Sequence, residues 1–257
     1  KQNFYDYEII LVDDCSIDNT QELVKNKFEN KIKIFSTDKN FGGPAKSRNI
    51  GIQNSSGQWI SFLDADDFWF QSRLKNFHEQ IINNPNFQVF CSNEILYNQK
   101  EKKKIKIVHG PYSENFFEEL LIKGNKLSPS ATVVNKEFMM KNNIFFDENE
   151  DLIGVEDYDL WLNLSKNNTK FFFINKILNV YVIHQKNITH NSEKHLKNTL
   201  NVLNKNFKFL NNFNYKIYLS RIFEVKLSFF INQLIKKKSI FSNTFNIIIL
   251  SIKNPIN

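Results

Sequence analysis

The chain has 257 residues, a hydrophobic share of 41%, a charged share of 24% and a formal net charge of +7. That is room for one large α/β domain with a modest appendage, and the lysine excess is spread so widely, with no nucleic-acid module in view, that no nucleic-acid partner is expected. Cys15 and Cys91 stand far apart, which excludes a zinc-finger spacing or a disulfide framework and fits a reducing, cytoplasmic setting. No apolar run approaches the roughly 20 residues of a spanning helix, so a soluble or peripheral protein is expected, lying at most against the inner face of the cytoplasmic membrane.

The chain opens on Lys1 rather than Met and enters a strand within a few residues, as a fragment would. Strands are predicted at 8–12, 31–35 and 58–63, alternating with helices at 20–28 and 44–52. Asp18 is placed to cap the first helix and Pro44 to open the second. This alternation predicts βα units feeding a mainly parallel, Rossmann-like sheet flanked by helices. An acidic loop follows, then a helix over 71–83, a strand over 87–97, an exposed basic hairpin or loop over 99–106, and a short helix over 114–123. A strand is predicted at 131–134, helices at 136–142 and 158–166, and a β-rich run at 179–183. From Glu193 onwards the pattern is helical. Residues 1–190 therefore read as a catalytic domain and residues 191–257 as a helical C-terminal extension.

Three acidic clusters fall at strand ends or helix starts, where open α/β sheets place their ligands. Asp13-Asp14 follows Leu11-Val12, and a carboxylate there is placed to accept hydrogen bonds from a base or ribose; the alternative is that Ser16 and Asp18 merely cap the next helix. Asp64-Ala65-Asp66-Asp67 puts three carboxylates into four positions; a divalent cation would relieve their repulsion and bridge phosphates, although a solvated acidic turn reads the same way. Glu156-Asp157, with Asp159, opens the helix that carries Trp161. A carboxylate held there by free amides is suited to take a proton, and ordinary helix-end charge is the alternative.

In order along the chain, Ile9 to Thr20 (IILVDDCSIDNT), Asn40 with Gly42 and Ala45 to Gly51 (AKSRNIG), and Gly57 to Asp67 (GQWISFLDADD) resemble the family-two glycosyltransferases. The likeness is close from Tyr7 to Asp67 and looser through Glu156-Asp157 to His184. It implies a GT-A fold and a nucleoside-diphosphate sugar bound with Mg²⁺ or Mn²⁺. It places Asp14, with Asp13 beside it, on the nucleotide, Asp64 on the ribose or a metal-bound water, and Asp66 on the metal. Asp157 becomes the base of an inverting displacement, and His184, in Tyr181-Val182-Ile183-His184, a further metal ligand. Trp161 is expected in the core and Ser128-Pro129-Ser130 along the acceptor pocket. The family's usual first strand and helix have no counterpart here, so the catalytic domain reads as N-terminally truncated.

Lys236-Lys237-Lys238 and the apolar residues after it suit either a membrane interface or packing on the catalytic domain. The resemblance thus implies transfer of a sugar to a cell-surface or lipid-linked glycan. A catalytically degenerate GT-A-fold binding protein is the alternative, and a metal-dependent phosphotransferase using Asp64 and Asp66 a further one.

Overall fold

A computed structural model describes residues 2–28, 31–111, 113–184, 187, 192–210 and 215–238. β1 (Ile10–Asp13) leads through α1 (Thr20–Phe28) to β2 (Lys33–Ser36), and the two strands pair in parallel, with Ile10 opposite Lys33 and Asp13 opposite Ser36. The start of α1 is fixed as expected, Asp18 Oδ1 accepting the Thr20 backbone N–H at 3.0 Å. α2 (Ala45–Asn54) follows Pro44 and lies against β1: a Cβ at Gly51 would stand 3.8 Å from Val12 Cγ2. Next come β3 (Trp59–Ser61), β4 (Phe68–Trp69) and α3 (Arg73–Asn83).

The sheet is mixed, which corrects the expectation of a mainly parallel one. β5 (Val89–Asn98) turns back directly into β6 (Lys103–Ile107), and so short a connection permits only an antiparallel pair. After α4 (Phe116–Lys123), β7 (Thr132–Asn135) enters between β3 and β5, antiparallel to both. α5 (Lys136–Lys141) and α6 (Glu156–Lys166) precede β8 (Phe171–Ile183), which runs parallel to β5 and antiparallel to β4. The order is β3-β7-β5-β8-β4, with β6 on the outer part of β5. Among the described residues β1 pairs only with β2 and β3 only with β7, so the sheet is interrupted between β1 and β3.

β8 extends eight residues further towards the N-terminus than the predicted run from residue 179. Its Phe-rich first half has no alternation, and the register against β5 shifts at Ser92, Asn93 and Glu94, so that Asn93 faces Ile177 and Glu94 faces Asn179. The shift is a local bulge, and it brings Asn179 beside Glu94.

Trp161, Leu160, Leu162 and Leu164 of α6 are fully buried, in one core with Leu120 and Leu121 of α4. α7 (Ser192–Asn206) adds Val202 and Leu203 to that core, and α8 (Tyr215–Lys238) adds Tyr218. None of the helices among the described residues is long and apolar enough to cross a membrane. The apolar tail from residue 239 lies outside the described residues.

The entry to β1 is tied to the turn before β3 by one carboxylate. Glu8 Oε1 accepts from the backbone N–H groups of Ser56 and Gly57 at 2.6 and 3.0 Å, and Oε2 accepts from Lys33 Nζ at 2.7 Å. Burial pushes this carboxyl up, but the Lys33, Ser56 and Gly57 donors outweigh it and hold the pKa at about 2, against an ordinary value of 4.5. Because the folded value is depressed, the stabilisation is present above 4.5 and is lost as pH falls from there towards 2. Urea unfolding of Glu8→Gln is expected to show a deficit of about 2 kcal/mol at pH 6, after allowance for solvent screening, which shrinks across that acidic window.

Candidate active site

Four segments bring the acidic clusters to one end of the sheet: the turn after β1, the loop between β3 and β4, the end of β8 and the N-terminus of α6. In the first, Asp13 is buried, with Ser16 donating its hydroxyl to Oδ1 and Gln21 Nε2 donating to Oδ2 at 2.8 Å. These hydrogen bonds, led by Ser16, hold its pKa below the usual carboxylate value. Asp14 reaches the other way: Oδ1 accepts from Thr37 Oγ1 at 3.0 Å and Oδ2 from the Phe41 N–H at 3.1 Å. Asp13 therefore holds its own turn, while Asp14 organises the loop that leads to α2.

That loop ends in a close approach. A Cβ on Gly43 would stand 2.9 Å from Ile153 Cγ1, so glycine lets the start of α2 lie against the segment before α6. From α2 the Arg48 guanidinium then spans two clusters. Nη2 donates to Asp64 Oδ1 at 2.6 Å and Nη1 to Glu156 Oε1 at 2.8 Å. Its side chain is 10% exposed, Glu156 6% and Asp64 29%. The adjacent Asn49 fixes the same neighbourhood, donating to the Phe146 carbonyl at 2.8 Å and accepting from the Phe146 N–H at 3.0 Å.

In the acidic loop the three aspartates divide. Asp64 pairs with Arg48, and its backbone N–H donates to Ser130 Oγ at 3.1 Å. Asp66 Oδ2 lies 2.9 Å from His184 Nε2 and accepts from Asn187 Nδ2 at 3.1 Å. Asp67 points inwards, accepts the Val182 N–H at 2.9 Å and so ties the loop to β8. Burial pushes the Asp67 carboxyl up to about 7.

At the start of α6, Asp157 Oδ1 accepts from the Tyr158 N–H at 2.7 Å and Oδ2 from Asn125 Nδ2 at 2.9 Å. Burial first, and then the neighbouring Glu156 charge, push its carboxyl up to about 7 against the opposing pull of Arg48. Asp159, the third carboxylate of the cluster, is fully buried against Lys205 of α7 at 2.9 Å. It belongs to the helix packing rather than to the site.

Asp64, Asp66 and His184 thus come together around one loop, Arg48 links that loop to the helix carrying Asp157, and Asp13-Asp14 borders α2 from the other side. Ser130 corrects the expectation of a pocket wall: it is fully buried, and its hydroxyl accepts from the Asp64 N–H. Residue types and spacing point to neither Arg48 nor Asn125 in its observed role. Arg48 stands within the AKSRNIG segment, whereas Asn125 lies in a stretch with no recognisable pattern.

The mixed α/β sheet, with carboxylates at its strand ends, is of the GT-A fold class seen in Staphylococcus aureus TarS, with which it superposes. Residues 1–145 match Glycosyl transferase family 2, and the chain belongs to that family. An uncharacterized glycosyltransferase of Rickettsia bellii is 30% identical over 171 residues, 65% of this chain and 23% of that protein. The UDP-Glc:alpha-D-GlcNAc-diphosphoundecaprenol beta-1,3-glucosyltransferase WfaP of Escherichia coli is 28% identical over 202 residues, covering 79% of this chain and 76% of that one. The crystal structure of Staphylococcus aureus TarS 1–349 superposes with a TM-score of 0.62 at 21% identity, over 89% of this chain and 65% of that one. The same TarS fragment has been solved with UDP and with UDP-GlcNAc. The chain therefore spans about a quarter of the Rickettsia relative and about two thirds of the TarS fragment.

Replacing Arg48 by Met leaves Glu156 buried without its cation. The expected loss is about 3 kcal/mol of unfolding free energy at pH 8, the usual cost of breaking a buried ion pair from one side. Adding Glu156→Gln to Arg48→Met should recover part of it in a double-mutant cycle; purely additive losses would show that the bridge carries no coupling.

Proposed function

We propose that the chain is a glycosyltransferase that moves a sugar from a UDP-sugar to a hydroxyl of a lipid-linked or polymeric glycan, with inversion at the anomeric carbon. The observation that carries this reading is the Arg48 bridge, which binds the Asp64–Asp66 loop to the helix that presents Asp157. Family membership supports it over the phosphotransferase alternative. The UDP and UDP-GlcNAc complexes of TarS, and the UDP-Glc named for the E. coli relative, support the donor class. That relative's diphosphoundecaprenol-linked acceptor supports the acceptor class.

The chain's residues fit a divalent cation only in part. Among the described residues no three or more His, Cys, Asp or Glu side chains converge as a ready metal site. Asp66 and His184 meet as a carboxylate and an imidazole, donor types that Mn²⁺ accepts, with substrate oxygens able to complete the shell. In this reading Asp66 and His184 hold Mg²⁺ or Mn²⁺, and Asp64 stands behind them with Arg48. When bound, the cation neutralises charge on the departing diphosphate.

The remaining chemistry belongs to the protein. Asp14 faces the nucleotide and Asp13 fixes the turn that carries it. Asp157 takes the proton of the acceptor hydroxyl as its oxygen bonds to the anomeric carbon. The bond from that carbon to the diphosphate oxygen breaks on the opposite side, and its electron pair leaves with UDP.

A ligand that binds the folded state alone raises its stability. UDP with Mn²⁺ is therefore expected to raise the melting temperature more than UDP alone, and more than GDP, CMP or dTDP with Mn²⁺; no shift with any nucleotide would sink the donor site. Asp157→Asn is expected to keep the UDP response and to lose transfer about 100-fold or more. Because the base works as the anion, wild-type kcat/KM should rise with pH through a midpoint near 7 and then level off.

A further inference from the structure

The segment between α4 and β7 makes more contacts with the site than its sequence suggests. It leaves α4 at Gly124, whose φ of +84° suits glycine. Four of its carbonyls are then held by side chains, three of them from elsewhere in the fold. His109 Nδ1 meets the Lys126 carbonyl at 2.7 Å, and Trp161 Nε1 donates to that of Leu127 at 3.2 Å. Thr132 Oγ1 donates to the Ser128 carbonyl at 2.8 Å, and Trp69 Nε1 to that of Ser130 at 2.9 Å.

Beneath the segment lies a buried polar group centred on Glu94. Its Oε2 accepts from Ser128 Oγ at 2.8 Å and Asn179 Nδ2 at 2.7 Å, and its Oε1 faces His109 Nε2 at 3.1 Å. His109 thus bridges the Lys126 carbonyl and the Glu94 carboxylate through its two ring nitrogens. The segment is therefore held both along its backbone and from below, and its first side chain, Asn125, is the one that reaches Asp157.

The orientation of that amide follows from its partners. Asn125 Oδ1 accepts the Leu127 N–H at 3.2 Å, so Nδ2 is the atom that faces Asp157 Oδ2, at 2.9 Å. Asp157 Oδ1 is already engaged by the Tyr158 N–H. Between them the two donors, one on each oxygen, restrain the plane of the carboxylate.

We propose that Asn125 is a positioning residue for Asp157, holding its carboxylate in one orientation as the anion through a segment locked by Glu94 and His109. This rests on the reading of Asp157 as the base. Among the described residues, the charged or ionisable groups acting on Asp157 include Glu156 on its own helix, Arg48 from α2 and the Tyr181 phenol from β8. Asn125 adds the neutral donor from the segment. Removing it takes a hydrogen bond from the charged form, and a carboxylate in its place adds a like charge.

Asn125→Asp separates this role from loop structure, because the new carboxylate still accepts the Leu127 N–H but no longer donates to Asp157. The Asp157 carboxyl would be titrated by carbon NMR in the wild-type chain, in Asn125→Asp and in Asn125→Ala, its signal assigned by its loss in Asp157→Asn. The expected midpoint rises by about one unit or more in Asn125→Asp and by less in Asn125→Ala. The acid limb of kcat/KM should move with it, and the UDP response should stay. An Asp157 midpoint unchanged in both variants overturns the proposal. Full transfer by Asp157→Asn would instead overturn the reading of Asp157 as base, while leaving the titration result standing.

Discussion

A single guanidinium sets the geometry on which the site depends. Asp64, Asp66, Asp67, Glu156 and Asp157 come from two distant parts of the chain, and carboxylates at this density repel one another. Arg48 is the cation that bonds to both groups, through Asp64 and Glu156. A planar fork can satisfy two carboxylates in fixed directions, which an ammonium on a flexible stem does less well. For Arg48 to reach them α2 must lie close to its neighbours, and Gly43, just before the helix, permits that. Gly43 admits Ile153 and Gly51 faces Val12, while Asn49 clamps the Phe146 backbone. The AKSRNIG segment is thus a set of packing and charge constraints on one helix.

Those constraints divide the carboxylates by environment. Asp13 is held low by donors from its own turn, and Asp67 and Asp157 are pushed up by burial. For Asp157, in its proposed role as the base, this matters most. A base near the working pH combines a large anionic fraction with a useful appetite for protons. Burial and Glu156 raise it, while Arg48 and the donors from Tyr158 and Asn125 keep it from rising further.

The first third of the fold was legible because local signals agreed there: caps, βα alternation and strand-end carboxylates all marked the same boundaries. Asp64, Asp66, His184 and Asp157 were singled out with roles through the motif resemblance, since a bare Asp-x-Asp or a lone His reads equally well as surface. The mixed sheet was not legible, because strand direction depends on which partner a strand meets. β7 inserts between β3 and β5 without any mark in its own four residues. The first half of β8 was missed because a run of three phenylalanines has no alternation, and its bulge breaks the period further on. Asn125 carried no local signal at all, since its partner lies 32 residues away.

The helices after β8 bear on the site through α6. Asp159 is fully buried two residues beyond Asp157, and an unpaired carboxylate there would drive the helix out of the core. Lys205 of α7 meets it at 2.9 Å and also reaches Asp147 at 2.8 Å, while Asn198 donates to the Ile153 carbonyl at 2.9 Å. α7 therefore grips both α6 and the 147–153 segment, which Asn49 and Gly43 of the α2 region hold from the other side. The segment from 124 to 130 closes the third side through Trp161 and Asn125. A carboxylate whose helix is anchored from three directions has little freedom to follow a substrate. The orientation of Asp157 is a property of the whole fold, and in the proposed reading it is the acceptor hydroxyl that has to come to it.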